Sequence, residues 1–254
     1  MIRTANPALN AEVFSREHAS SAEGAMTIEG TVNKTMILLF ILVMSAGWVW
    51  EKLFTNSGGL LSQSRQMALS LIMIGAVGGF IIALVTQFLK RWSAVTAPIY
   101  ALCQGFALGG VSAFFEVMYR GVVVQAIALT FGTLFCLLIA YRSGIIKATE
   151  NFKLGVFAAT GAIGLVYLVT FVLSFFKVQI PYIHQGSMLS IGVSLFVVTI
   201  AALNLVLDFD FIEQGARQGA PKYMEWYGAF GLMVTLVWLY MEILRLLAKM
   251  RSRR

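Results

Sequence analysis

Charged residues are scarce in this chain. Lysine, arginine, aspartate and glutamate make up 12% of the sequence, whereas they make up about a quarter of a typical soluble domain. Hydrophobic residues account for 59%. This composition excludes an ordinary soluble domain and predicts a polytopic membrane protein embedded in a lipid bilayer. The net charge of +7 is ordinary for a protein at an anionic membrane surface, and it gives no argument for a nucleic-acid partner.

Metal-ligating and nucleophilic residues are also few. The two histidines, His18 and His184, lie outside the apolar runs and lack the helical spacing of a metal-ligand pair. Cys103 and Cys136 lie in different apolar runs without a CxxC motif, so we interpret both as free thiols used as small apolar residues. The sequence has no G-x-S-x-G motif, no phosphate-binding glycine loop and no H-E-x-x-H motif. We therefore expect no catalytic residues, no enzymatic activity, no bound cofactor and no resident metal.

Seven long apolar runs organise the chain. Each has at least the roughly 20 residues that a helix needs to cross the hydrocarbon core of a bilayer, and the runs do not alternate as barrel strands do. The sequence thus predicts an all-α membrane protein, a seven-transmembrane helical bundle. The predicted spans are residues 35–55, 67–89, 94–118, 122–141, 154–176, 187–211 and 223–247. The tight turn near Arg120 leaves open a re-entrant pair in place of two of these spans.

Polar segments flank the predicted membrane domain. We expect residues 1–30 to form a mobile amino-terminal tail, residues 31–250 to form a single transmembrane domain, and residues 251–254 to form a basic carboxy-terminal tail. No cleavable signal peptide is evident, so the first span is expected to serve as the insertion signal. The distribution of lysine and arginine among the loops favours a cytoplasmic amino terminus.

Small residues within the runs predict close helix contacts. Gly105 and Gly109 form a GxxxG pattern, and Gly75, Gly78 and Gly79 lie along one stretch of the second run. Glycine lets helix backbones approach each other in lipid, where the hydrophobic effect does not drive association. These positions therefore predict helix packing rather than a ligand site.

Two aspartates at the end of the sixth run, Asp208 and Asp210, are the strongest candidates for function. A carboxylate at membrane depth costs a few kcal/mol, so it tends to persist where it lines a path or pairs with another group. Side chains two residues apart on a helix point about 200° from each other, so the two aspartates cannot both face lipid cheaply. One alternative is that the helix ends near Leu207, leaving Asp208, Asp210 and Glu213 in water. The other is that at least one aspartate faces the interior of the bundle.

Other charged residues have simpler explanations. Glu116 and Arg120 are four residues apart, a spacing that predicts a local ion pair at a helix end. Glu242 and Arg245 are three residues apart near the end of the last run and are also spaced to pair locally.

The run Leu203-Asn204-Leu205-Val206-Leu207-Asp208-Phe209-Asp210-Phe211-Ile212-Glu213-Gln214, followed by Ala220-Pro221-Lys222-Tyr223, resembles the Bax inhibitor-1 family in its bacterial branch. In that family the sixth helix typically ends in an aspartate after apolar residues, and a short polar loop leads to a seventh helix that opens with an aromatic residue. Asp208 matches this aspartate and Tyr223 matches the aromatic residue. The resemblance implies seven helices with the last one central, in the bacterial cytoplasmic (inner) membrane.

The resemblance also implies a function. Members of the family form a pH-sensitive calcium leak, and some bacterial members are linked to a membrane protease. Their proton sensor is a pair of aspartates, one on the sixth helix and one on the seventh, and two carboxylates held close together share a proton. Calcium is a hard cation that takes oxygen ligands. Asp208 is therefore the expected calcium contact, and calcium is expected as a transported ion rather than as a cofactor.

The sequence departs from the family pattern in the seventh helix. No acidic residue lies between Phe230 and Tyr240, where the second aspartate is expected. Glu225, in the first turn of the last run, is the nearest substitute, so Asp208, Asp210 and Glu225 are the predicted pH-sensing or ion-path residues. Two function classes stay open: a pH-sensitive cation leak, and a non-transporting membrane factor that binds a protein partner such as a membrane protease.

Overall fold

The computed structural model describes residues 24–55, 62–176 and 188–253. Within these ranges the chain forms seven long α-helices and no strand, apart from one isolated bridge between Ala25 and Pro221. All seven helices are long and apolar enough to cross a membrane. The predicted all-α membrane bundle with seven spans is therefore confirmed. The helices are α1 (Ile28–Thr55), α2 (Ser62–Phe88), α3 (Ser93–Met118), α4 (Val122–Arg142), α5 (Glu150–Phe175), α6 (Met188–Arg217) and α7 (Met224–Ser252).

The helices extend beyond the apolar runs at several ends. α1 begins at Ile28 rather than at residue 35, and α6 continues to Arg217 rather than ending at residue 211. Helix ends are set by capping groups and turns, whereas an apolar run marks only the part that crosses the hydrocarbon core. Of the predicted amino-terminal tail, residues 1–23 lie outside the described residues. The single transmembrane domain over residues 31–250 stays a prediction.

The turn near Arg120 joins two full-length helices. α3 ends at Met118 and α4 begins at Val122, and Gly121 has a positive φ of 79°. The Glu116 carboxylate accepts hydrogen bonds from the backbone N–H groups of Gly121 (2.5 Å) and Val123 (3.3 Å). These acceptor contacts satisfy donors at the start of α4, which would otherwise lack a partner within the helix. The two spans are thus separate helices rather than a re-entrant pair.

The described residues group into two compact units, and α6 and α7 contribute to both. The α1–α3 unit contains residues 24–123 and 211–234. Within it, α3 packs against both α1 and α2. A side chain at Gly105 or Gly109 would collide with the α1 residues Ser45 and Ala46, and one at Gly110 would collide with Ile72 of α2. The prediction that the GxxxG pattern serves helix packing is confirmed.

The α4–α5 unit contains residues 124–210 and 235–253. Within it, α5 and α6 run antiparallel and meet along a regular series of contacts. Val156 packs with Leu207, and farther along the helices Ile163 packs with Val197 and Ile200. α7 is the most extensively buried of the seven spans. Its central position stays a prediction.

Candidate functional site

Asp208 is fully buried in α6, with 0% of its surface exposed. The helix does not end near Leu207, because its hydrogen-bonded turns continue to Arg217. Asn204 lies one turn before Asp208 on the same helix face; it is also buried, and its amide donates a hydrogen bond to the Thr160 hydroxyl of α5 at 2.8 Å. The face of α6 that carries Asp208 is therefore turned toward protein.

Asp210 has a different environment in the same unit. Its carboxylate forms an ion pair with the Lys153 ammonium of α5 at 2.9 Å, and 15% of the Asp210 side chain is exposed. The Lys153 side chain is 5% exposed, and its ammonium also lies 3.3 Å from the carboxylate of Glu150. Lysine is rarely buried without a carboxylate partner. The α5–α6 contact thus ends in an ion pair beyond the Val156–Leu207 contact.

Glu225 lies in the first turn of α7, in the α1–α3 unit, and is also fully buried. One carboxylate oxygen accepts hydrogen bonds from the backbone N–H of Thr27 at 3.0 Å and from the Thr27 hydroxyl at 2.9 Å. The other oxygen pairs with the ammonium of Lys34. The carboxylate therefore ties the start of α7 to the start of α1.

These contacts form a helix cap that is supplied by another helix. Thr27 precedes α1, and its hydroxyl oxygen accepts a hydrogen bond from the N–H of Gly30 at 2.9 Å. In an ordinary capping box, a glutamate three residues after the capping threonine bonds back to its N–H. Here that position holds Gly30, and Glu225 of α7 makes the bond instead. A side chain at residue 30 would collide with the Glu225 carboxylate, so glycine provides the necessary space.

The chain around this cap is held by further contacts. Met26 donates its N–H to the carbonyl of Ala220 at 2.7 Å, beside the bridge between Ala25 and Pro221. The Ser93 hydroxyl at the start of α3 donates to the carbonyl of Tyr223 at 3.0 Å. The beginning of α7 is therefore fixed by contacts from both α1 and α3.

A second buried carboxylate of α7, Glu242, was not among the predicted site residues. It pairs with Arg245 at 2.9 Å, which confirms the local pair predicted from their spacing. It also accepts a hydrogen bond from the Tyr167 hydroxyl of α5 at 2.9 Å. The spacing of Glu242 and Arg245 was visible in the sequence, but the contact with Tyr167 depends on which helices are neighbours.

The three predicted residues therefore have three different environments. Asp208 and Asp210 lie in the α4–α5 unit, and Glu225 lies in the α1–α3 unit. That they form one cluster, with Glu225 replacing an aspartate of the seventh helix, stays a prediction. Among the residues that the structure describes, no group of three or more histidine, cysteine, aspartate or glutamate side chains is placed to hold a metal ion. A calcium contact at Asp208 stays a prediction.

Comparison with known proteins identifies the family. The model of the family described as Bax inhibitor 1 like matches residues 6–252, nearly the whole chain. No curated protein and no solved structure matches the sequence. The family match agrees with the resemblance at residues 203–223 and with the seven apolar helices. The chain is thus an integral, multi-pass membrane protein that belongs to the Bax inhibitor 1 like family.

Proposed function

We propose that this protein is a pH-sensitive leak for cations, calcium first among them, in the bacterial cytoplasmic membrane. Asp208 is the residue whose protonation controls the leak. The proposal includes no catalytic step and no bound cofactor. Asp210 within α6 and Glu225 in the first turn of α7 are the other two carboxylates predicted for this function.

The complete burial of Asp208 within a membrane span is the observation that carries this proposal. An aspartate gains or loses a full charge on protonation, and the effect of that charge on its surroundings is largest where water does not screen it. Intramembrane carboxylates are costly, and those that persist commonly mark ion paths or proton relays. The position of Asp208 in the family motif adds to this support.

Calcium flux into vesicles tests the proposal. The full chain is reconstituted in liposomes that contain a calcium-sensitive dye, and flux is recorded over a pH series. We expect wild-type flux to vary with pH. In Asp208→Asn the amide imitates the protonated carboxyl group, so its flux at every pH should match the wild-type flux at the acid end of the series.

A matched control comes from the same helix. Glu213 lies near the end of α6, where it pairs with Arg217 at 2.5 Å, and Arg217 is mostly exposed. Glu213→Gln makes the same chemical change at a partly exposed position and should keep the wild-type pH response. An unchanged pH response in Asp208→Asn would reject Asp208 as the sensor. Wild-type vesicles without flux at any pH would reject the leak and favour a non-transporting factor that binds a protein partner, such as a membrane protease.

A further inference from the structure

Lys153 has an unusual position for a lysine. It lies in the first turn of α5, where the partial positive charge of the helix end disfavours a cation. Its side chain is nevertheless buried, between a carboxylate of α6 and a carboxylate of its own helix. Neither helix propensity nor the helix dipole explains this placement. The two carboxylates, Asp210 and Glu150, are the groups that stabilise the ammonium there.

The two carboxylates differ in accessibility. The Glu150 side chain is 67% exposed, whereas 15% of Asp210 is exposed. The ammonium of Lys153 contacts both, so it can leave Asp210 and still keep an anionic partner at Glu150. Such an arrangement lets the lysine exchange with another cation at Asp210 without leaving a buried ammonium unpaired, which would be strongly unfavourable.

We propose that Lys153 is a tethered cation that competes with the transported cation for Asp210 and thereby limits the leak. This inference rests on the proposed function and adds a residue that regulates it. Ammonium and calcium both seek carboxylate oxygens, and a tethered group competes with a high effective concentration. Lys153 therefore prevents Asp210 from binding the transported cation, and Asp208 is the carboxylate that serves the cation path in the wild-type protein.

Removing the ammonium should increase the leak. In Lys153→Gln the Asp210 carboxylate becomes available to calcium, and we expect calcium flux at a fixed neutral pH to rise about tenfold, the scale of effect of removing one partner of a close charge pair. Lys153→Arg keeps the positive charge and should stay near the wild-type flux. The double variant Lys153→Gln/Asp210→Asn removes both charges and should return to the wild-type level.

Arg217→Gln is the matched control. It removes one positive charge from an ion pair near the end of α6, but Arg217 is 73% exposed and pairs with Glu213 outside the proposed path. Its flux should equal that of the wild type. This control separates the local competition at Asp210 from a general change in the charge of the protein.

Each outcome bears on the inference. If folded Lys153→Gln has the same flux as the wild type, the inference about Lys153 is overturned and the proposed leak is not affected. Flux in Lys153→Gln but not in the wild type would support the inference and reject the leak as a property of the natural protein, and no flux in either would reject both. If Lys153→Gln does not fold, Lys153→Met tests the same claim with a neutral side chain better suited to a buried position. Its flux should also rise, and a folded Lys153→Met variant with wild-type flux would contradict the inference.

Discussion

Two lysine–carboxylate pairs join helices in this protein, one in each unit. In the α1–α3 unit, Lys34 of α1 pairs with Glu225 of α7. In the α4–α5 unit, Lys153 of α5 pairs with Asp210 of α6. Both lysines lie near the start of their helix. Asp210 lies within the family motif, and Glu225 lies two residues after it. The two pairs are alike in composition and differ in what surrounds them.

The Glu225 carboxylate is fixed from several directions. It is bonded by an ammonium, a hydroxyl and a backbone N–H, and Gly30 leaves just enough space for it. Lys153, by contrast, divides its ammonium between Asp210 and an exposed glutamate. These contacts make the Lys34–Glu225 pair a structural joint, whereas the divided contacts of Lys153 support the proposed exchange at Asp210. The burial of Glu225 is therefore accounted for by its contacts with α1.

The largest effect on stability is expected at the structural joint. Glu225→Gln leaves the Lys34 ammonium without its carboxylate partner and weakens the cap of α1. Breaking a buried ion pair from one side costs about 3 kcal/mol or more. Denaturant titration of the purified protein in detergent should show a loss of this size in the free energy of unfolding. Glu213→Gln, which breaks an exposed pair, should cost no more than about 1 kcal/mol, and equal losses in the two variants would contradict the structural joint.

Smaller effects on the free energy of unfolding, of opposite sign, are expected for two glycines of α1. Gly30→Ala places a methyl group against the Glu225 carboxylate and should lower the free energy of unfolding by about 2 kcal/mol, as for an overpacked site. Gly47 has open space around its Cα, so Gly47→Ala should raise that free energy by up to about 1 kcal/mol through helix propensity. Thermal unfolding of both variants in the same detergent measures the difference. A stabilising Gly30→Ala would show that the Glu225 carboxylate does not occupy the place beside α1.

The fold was predictable because each membrane helix corresponds to a long, uninterrupted apolar run in the sequence. The number of spans and the packing role of Gly105 and Gly109 follow from hydrophobicity and residue size, which are local properties. The pair Glu242–Arg245 was predictable for the same reason, since its members lie three residues apart.

The partners of the buried carboxylates were not predictable in this way. Glu225 and Thr27 are far apart in sequence, and a cap supplied by another helix leaves no local motif, since the usual glutamate position is Gly30. Lys153 likewise lies just before the predicted fifth span, residues 154–176, although it is buried against Asp210. Such contacts depend on which helix faces meet, and a single sequence does not reveal that. The structure shows that Gly30 leaves the space that the Glu225 carboxylate occupies.

The central claim is that Asp208 senses protons while Glu225 holds the structure, and one measurement tests it most directly. Calcium flux is recorded over the same pH series for Asp208→Asn and for the double variant Lys34→Gln/Glu225→Gln, which removes both charges of the joint and leaves no lone buried ion. We predict that Asp208→Asn loses the pH response, whereas the folded double variant keeps it at lower stability. A double variant that loses the pH response while Asp208→Asn retains it would contradict the account.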